Sequence, residues 1–215
     1  MPSLALSAAL VASALVTALP AMAVPATAMP ATAMPATAVP AAAAPRVTPM
    51  STNISEAQVL QAQRTWCDAL LSISRAYRTG GLPLARATAE KVLDSAYGYQ
   101  YGPVAFKPTL TSGQQTFRPT RAGALAYFVG GDPQFPNDAG FAIKPWTACA
   151  IRNQVVQLHG IFAITMGNVD LTDSSGKLTT VDKTWGFLRE PDGETRIVLH
   201  HSSLPFQPAP SAPSR

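Results

Sequence analysis

An α+β fold is the architecture this sequence predicts, with helices first and an antiparallel sheet after them. Two observations carry that expectation. Val59, Trp66, Leu70, Ile73 and Tyr77 follow one another at spacings of seven, four, three and four, which is one face of a helix. Beyond Trp146 the pattern changes to extended runs separated by "DSSG" at Asp173–Gly176 and "PDGE" at Pro191–Glu194, both strong hairpin turns. Helical patterns that precede a meander of strands, rather than alternating with them, point away from a parallel α/β sheet.

The elements follow in order. Ser55 with Gln58 makes a capping box that starts the first helix, and Gly80-Gly81 ends it. Pro83 suits the first turn of a second helix, running through Ala89 and Leu93 to about Tyr97, with Gly98 closing it. "GPVAFKPTLTS" is short and extended, and Pro108 confines it to a sheet edge or a bulge. "RPTRAGALAYFVGG" is read as a short helix opened by Pro119 and ended by Gly130-Gly131. Strands are expected over Trp146–Gln157, Ile161–Thr172, Lys177–Arg189 and Arg196–Ser203. A curved sheet wrapped around the helices gives a cone with a pocket.

Composition divides the 215 residues sharply: no charged side chain occurs from Met1 to Ala44. The folded part is therefore roughly 160 residues, enough for one core. "LALSAALVASALVTALPAMA" is apolar and small, and Ala21-Met22-Ala23 fits an A-x-A cleavage site, so residues 1–23 are read as an export signal. No Lys or Arg precedes the run, and the alternative is a low-complexity apolar tail. Pro20 and Pro25 interrupt the run, which argues against a membrane span. Prolines recur at every fifth position from Pro20 to Pro45, so residues 24–50 form an extended Pro/Ala-rich spacer without the large apolar groups of a core. The folded domain is assigned to 51–207 and a loose tail to 208–215. An exported chain, periplasmic or secreted, permits a disulfide. Cys67 falls in a helix and Cys149 in a strand, and both are expected as buried free thiols.

The net charge of +4 comes from scattered residues with no basic run or stripe, so no nucleic-acid partner is expected. Two of the three histidines lie together in "RIVLHHSSLP", at His200 and His201. Neighbours on a strand point to opposite faces, so both cannot ligate one ion without a bulge. His159 is the third, and H-x-H, H-E-x-x-H and C-x-x-C are all missing, so no metal is expected. Ser202 and Ser203 have no nucleophile elbow around them and are read as hydrogen-bonding hydroxyls. Alternation groups Arg196, Val198, His200 and Ser202 on one face, and Ile197, Leu199, His201 and Ser203 on the other.

Taken together, "GPVAFKPTLTS", "FRPTRAGALAYFVGGD", "FPNDAGFAIKPW", "AITMGNV", "KTWGFL" and "RIVLHHSSLP" resemble the NTF2-like superfamily, in the group related to the association domain of calmodulin-dependent kinase II. Within it they look most like the metal-free iota-class carbonic anhydrases, over roughly Ser51 to Pro205. The resemblance implies an α+β cone, a homodimer, no cofactor, and reversible hydration of CO2 to bicarbonate. It implies that Thr109, Tyr127, His200 and Ser202 form a catalytic hydrogen-bonding pocket, with His200 taking the proton directly or through a hydroxyl. Phe106, Phe128 and Phe141 are expected as apolar walls around CO2, with Ser203 beside Ser202 in contact with it. The apolar phase of the strand favours His201 and Ser203 for the last pair, while the motif favours His200 and Ser202. Two rivals remain: a non-catalytic association module, and an isomerase or hydrolase with Asp138 as its base.

Overall fold

The structure is a computed structural model that describes residues 51–208. The export signal, the spacer and residues 209–215 of the tail lie outside the described residues. Helix α1 (Glu56–Ala96) opens on the expected capping box, with the Ser55 hydroxyl accepting from the Gln58 N–H and the Gln58 side chain accepting from the Ser55 N–H. The two helices read from sequence are one element interrupted at Gly80 and Gly81, whose backbone angles leave the helical region. Short 3-10 turns cover Tyr99–Tyr101 and Gly113–Gln115. Helix α2 (Arg121–Val129) is where a short helix is expected, but Thr120 caps it rather than Pro119, its hydroxyl accepting from the Gly123 N–H.

The strands are β1 (Ala105–Lys107), β2 (Trp146–His159), β3 (Phe162–Asp173), β4 (Leu178–Arg189) and β5 (Thr195–Ser203). They make one mixed sheet in the order β1-β5-β4-β3-β2. The long strands are antiparallel, and β1 joins β5 in parallel at the edge, immediately before Pro108. Two register shifts in β2 bend the sheet. Opposite the second, Gly167 has no room for a side chain, because a Cβ there would collide with the Arg152 carbonyl oxygen.

α1 packs against β2 and β5, and α2 packs on α1. Trp66, Leu70, Ile73 and Leu93 of α1 meet Phe128, Val169, Leu171, Val181, Trp185 and Phe187 in the core. Tyr77 keeps the helical phase but is 40% exposed. It sits just before the glycine kink, where the core thins to Ala76. The cysteines are not free thiols: Cys67 and Cys149 form a disulfide, with Cα atoms 5.6 Å apart. Helix and strand belong to different layers, and packing α1 across β2 brings the two positions within bridging distance. Among the described residues, no helix is long and apolar enough to cross a membrane.

Candidate active site

The site is organised by a bulge in β5. Gly186 of β4 pairs with Leu199, but the next residue, Phe187, pairs with Ile197, so Val198 is an extra residue without a partner. Strict alternation is broken there. Ile197 points inward before the bulge, and His200 and Ser202 point inward after it, at 1%, 2% and 1% exposure respectively. His201 is exposed, and Ser203 is half-buried beside it on the other face, where both border one shallow surface pocket. The conflict between apolar phase and motif therefore has a local cause: one inserted residue lets Ile197 and His200 share a face.

The same bulge fixes Tyr97. At the end of α1 the chain bridges onto β5 at Ile197, and the Gly98 N–H donates to the Ile197 carbonyl at 3.0 Å. A side chain at Gly98 would press on Val198, the bulged residue, so glycine lets the helix end lie against the strand. Tyr97 is thereby carried to His200, its hydroxyl 2.8 Å from Nδ1. The indole N–H of Trp66 donates to the Tyr97 hydroxyl oxygen at 3.0 Å.

The other ring nitrogen is also occupied. Nζ of Lys183 lies 2.7 Å from Nε2 of His200. Lys183 is 4% exposed, and no carboxylate stands within salt-bridge distance of it among the described residues. Its nitrogen stands 4.6 Å from the ring centre of Trp66 and 5.2 Å from that of Trp185. Burial pushes the Lys183 ammonium well below the usual lysine value. Burial first, then the charge of Lys183 and that of His201, hold His200 well below the ordinary histidine range. Two cations at this separation in a buried site are excluded, so the pair carries one positive charge at most.

An aromatic wall joins His200 to Tyr127. Phe106 is stacked on His200 with ring centres 4.5 Å apart, and it meets Tyr127 edge-on at 5.8 Å. Phe128 stacks on Phe106, and Phe141 on Tyr127 at 5.6 Å. Phe106, Phe128, Phe141, Tyr127 and His200 are thus one contiguous cluster. Burial raises the Tyr127 phenol, opposed by Thr109 and the backbone of Leu110 close to its oxygen. Even so, that hydroxyl has no hydrogen-bond partner of good geometry. The Ser202 hydroxyl and the Trp185 indole N–H are likewise buried and unpartnered. Buried polar groups are nearly always paired, so the Ser202 and Trp185 orphans near His200, and the Tyr127 orphan across Phe106 from it, are candidate partners for a small polar ligand. A cavity of about 160 Å³ reaches Tyr127 and Phe141 past Leu110 and Lys144.

Sequence reasoning named His200, Ser202, Thr109, Tyr127 and the three phenylalanines, but missed Lys183, Tyr97, Trp66 and Trp185. A lysine in "VDKTWGF" shows no sign of being buried, and only strand alternation with Val181 and Trp185 could have flagged it. Asp138, the candidate base of a rival reading, is held by Arg118 at 2.8 and 3.0 Å with both side chains buried, which gives it a structural task. Among the described residues, no three His, Cys, Asp or Glu side chains gather as a metal site would require.

The family model described as metal-independent carbonic anhydrase matches residues 57–204. A metal-independent carbonic anhydrase from Nostoc sp. is 56% identical over 154 residues, covering 72% of this chain and 75% of that protein. The crystal structure of a cyanobacterial iota-carbonic anhydrase complexed with bicarbonate superposes with a TM-score of 0.75 at 53% identity, covering 76% of this chain and 99% of that one. A Xanthomonas campestris protein described as a calcium/calmodulin-dependent protein kinase II association domain is 23% identical, with a TM-score of 0.45, over 70% of this chain and 89% of that one.

Proposed function

This chain belongs to the metal-independent carbonic anhydrase family, and we propose that it interconverts CO2 and bicarbonate beside His200, on the aromatic wall of its NTF2-like cone. The observation that carries the assignment of the site is the pair of buried, unpartnered hydroxyls of Tyr127 and Ser202. They are hydrogen-bond donors waiting for an acceptor. Burial keeps the Tyr127 phenol protonated, so it remains a donor at any physiological pH.

In the hydration direction, CO2 lies against Phe106, Phe128 and Phe141, and a water oxygen attacks its carbon. Negative charge develops on the CO2 oxygens, where Tyr127 and Ser202 donate, with Thr109 orienting Tyr127. Ser203 takes no part in this reading. His200 is uncharged near neutrality and serves as the base that water needs. Both of its ring nitrogens are engaged, by Tyr97 and Lys183, so the proton reaches it through one of these partners. General-base help of this kind supplies about 10²–10⁴-fold.

Two further features belong to the same reading. The chain acts outside the cytoplasm, periplasmic or secreted, which the Cys67–Cys149 disulfide supports. It pairs as a homodimer through the outer face of the sheet, which the exposed Val155 and Met166, paired across β2 and β3, support. Light scattering on the purified chain tests the pairing, and a single-chain mass overturns it.

The deciding experiment is stopped-flow CO2 hydration after exhaustive chelation, with metal analysis of the same sample. Turnover without stoichiometric metal, strongly reduced by His200→Ala, is expected. Activity lost on chelation and restored by zinc overturns the metal-free chemistry. No activity in either state leaves a binding module.

A further inference from the structure

We propose that Lys183 and His200 form a single base that holds one proton between them, with Lys183 on the side where the proton arrives. This rests on the reading above and adds to it a proton-relay residue.

The geometry offers the proton two ways to His200. On the Nδ1 side stands Tyr97, fully buried, its oxygen already receiving the Trp66 indole N–H. On the Nε2 side stands Lys183. Lys183 is the direct cross-strand partner of Ser202, and both side chains are buried on the inner face. Such partners have Cβ atoms about 5 Å apart. Lys183 and the unpartnered Ser202 hydroxyl thus stand on neighbouring strands of the same inner face.

The step balances simply. The carbon–oxygen bond to water forms while one O–H bond of that water breaks, its electron pair staying on oxygen. The proton passes to the Lys183 lone pair, while Ser202 keeps its own proton for the CO2 oxygens. The pair changes from uncharged to singly charged, and its N–H then points at Nε2. A second proton is excluded by repulsion. The indole faces of Trp66 and Trp185, within cation–π range, offset part of the cost of burying the cation that the reaction creates.

Among the described residues, no carboxylate forms a salt bridge with either member of the pair. From α1 and its end come Trp66 and Tyr97, and from α2 the phenol of Tyr127. β5 adds His201 on the outer face, and β1 adds Lys107, whose ammonium donates to the Ser202 carbonyl at 3.0 Å. β3 puts Gly167 opposite Lys183. The neighbouring Asp182 accepts from the Asn168 side chain. These groups leave the pair as the proton acceptor.

Lys183→Met tests the idea, since methionine keeps the length and apolar contacts without the amine. The expected result is a kcat about 10- to 100-fold lower, with KM for CO2 little changed. The low-pH limb of the kcat profile should move to lower pH, because His200 alone holds its first proton less tightly than the pair does. Lys183→Arg, permanently charged, should not restore kcat. A Lys183→Met enzyme that matches wild type, or whose low-pH limb stays put or moves up, overturns the proposal. Should the variant fail to fold, nitrogen-15 NMR of the wild type decides. His200 and the Lys183 amine should titrate together in one step, and a lysine that remains ammonium through pH 9 while His200 titrates alone overturns the pair. Wild type that lacks CO2 hydration sinks the functional reading instead. Loss of activity in His200→Ala but not in Lys183→Met sinks only the pair.

Discussion

Phe106 lies flat against His200 because the two are register partners in the parallel β1–β5 pair. A three-residue edge strand thus delivers the aromatic face that seals one side of the imidazole, and two residues beyond its end comes Thr109 beside Tyr127. The edge strand is part of the proposed site and not an ornament of the sheet.

If the orphaned hydroxyls serve the reaction, removing them separates function from stability. Tyr127→Phe and Ser202→Ala should each lower kcat by about 10- to 100-fold while leaving stability equal or higher, since an unpaired buried hydroxyl costs about 1–3 kcal/mol. Thermal melts beside stopped-flow rates provide the check. Lost stability with retained activity would show that these groups only pack.

The buried lysine makes stability depend on pH in a defined direction. Its folded pKa is depressed, so between that value and the unfolded value of about 10.5 the unfolded chain binds more protons, and stability rises with pH. Urea titrations from pH 7 to 10 should show a steeper rise for wild type than for Lys183→Met. His200, also depressed, adds a loss of stability as pH falls below about 6.5. A Lys183→Met slope equal to wild type would contradict the burial of a lysine that sheds its charge.

The disulfide closes a span of 82 residues between α1 and β2. Reduction, or Cys67→Ala with Cys149→Ala, should cost about 2–4 kcal/mol. Cys67 directly follows Trp66, but Trp66 is held by its own bond to Tyr97 and by the core, so kcat at low temperature should hold. Equal melting curves with and without reductant would argue that the bridge is not formed in solution.

Asp138 separates the rival chemistry from the one proposed. Asp138→Asn breaks a buried ion pair with Arg118 and should destabilise by about 3 kcal/mol, with hydration activity retained wherever the fold holds. Abolished turnover in a folded Asp138→Asn protein would return the aspartate to the role of base.

Much of this architecture is readable from residue order. The capping box at Ser55, the glycine break at Gly80-Gly81 and the two hairpin turns set the element boundaries to within a few residues. What pattern could not supply came from pairing between elements. The disulfide needed α1 to lie across β2, the burial of Lys183 needed the strand to face the core, and Tyr97 needed the helix end to bridge onto β5. The histidine doublet shows the limit most clearly. Simple alternation from Ile197 selects His201, and only the unpaired Val198 reverses that choice.

Val198 therefore acts as a parity switch. Between the Asp192-Gly193 turn and the histidine doublet, an even or odd count of residues decides which imidazole meets solvent and which meets the aromatic wall, with no change in composition. A doublet is robust to one such counting error: losing one residue ahead of it in β5 moves His201 into the inner position opposite Phe106, whereas adding one would put Leu199 there. A one-residue deletion here would still present an imidazole to Phe106, so the duplicated histidine gives the strand a tolerance to shortening that a lone one would not.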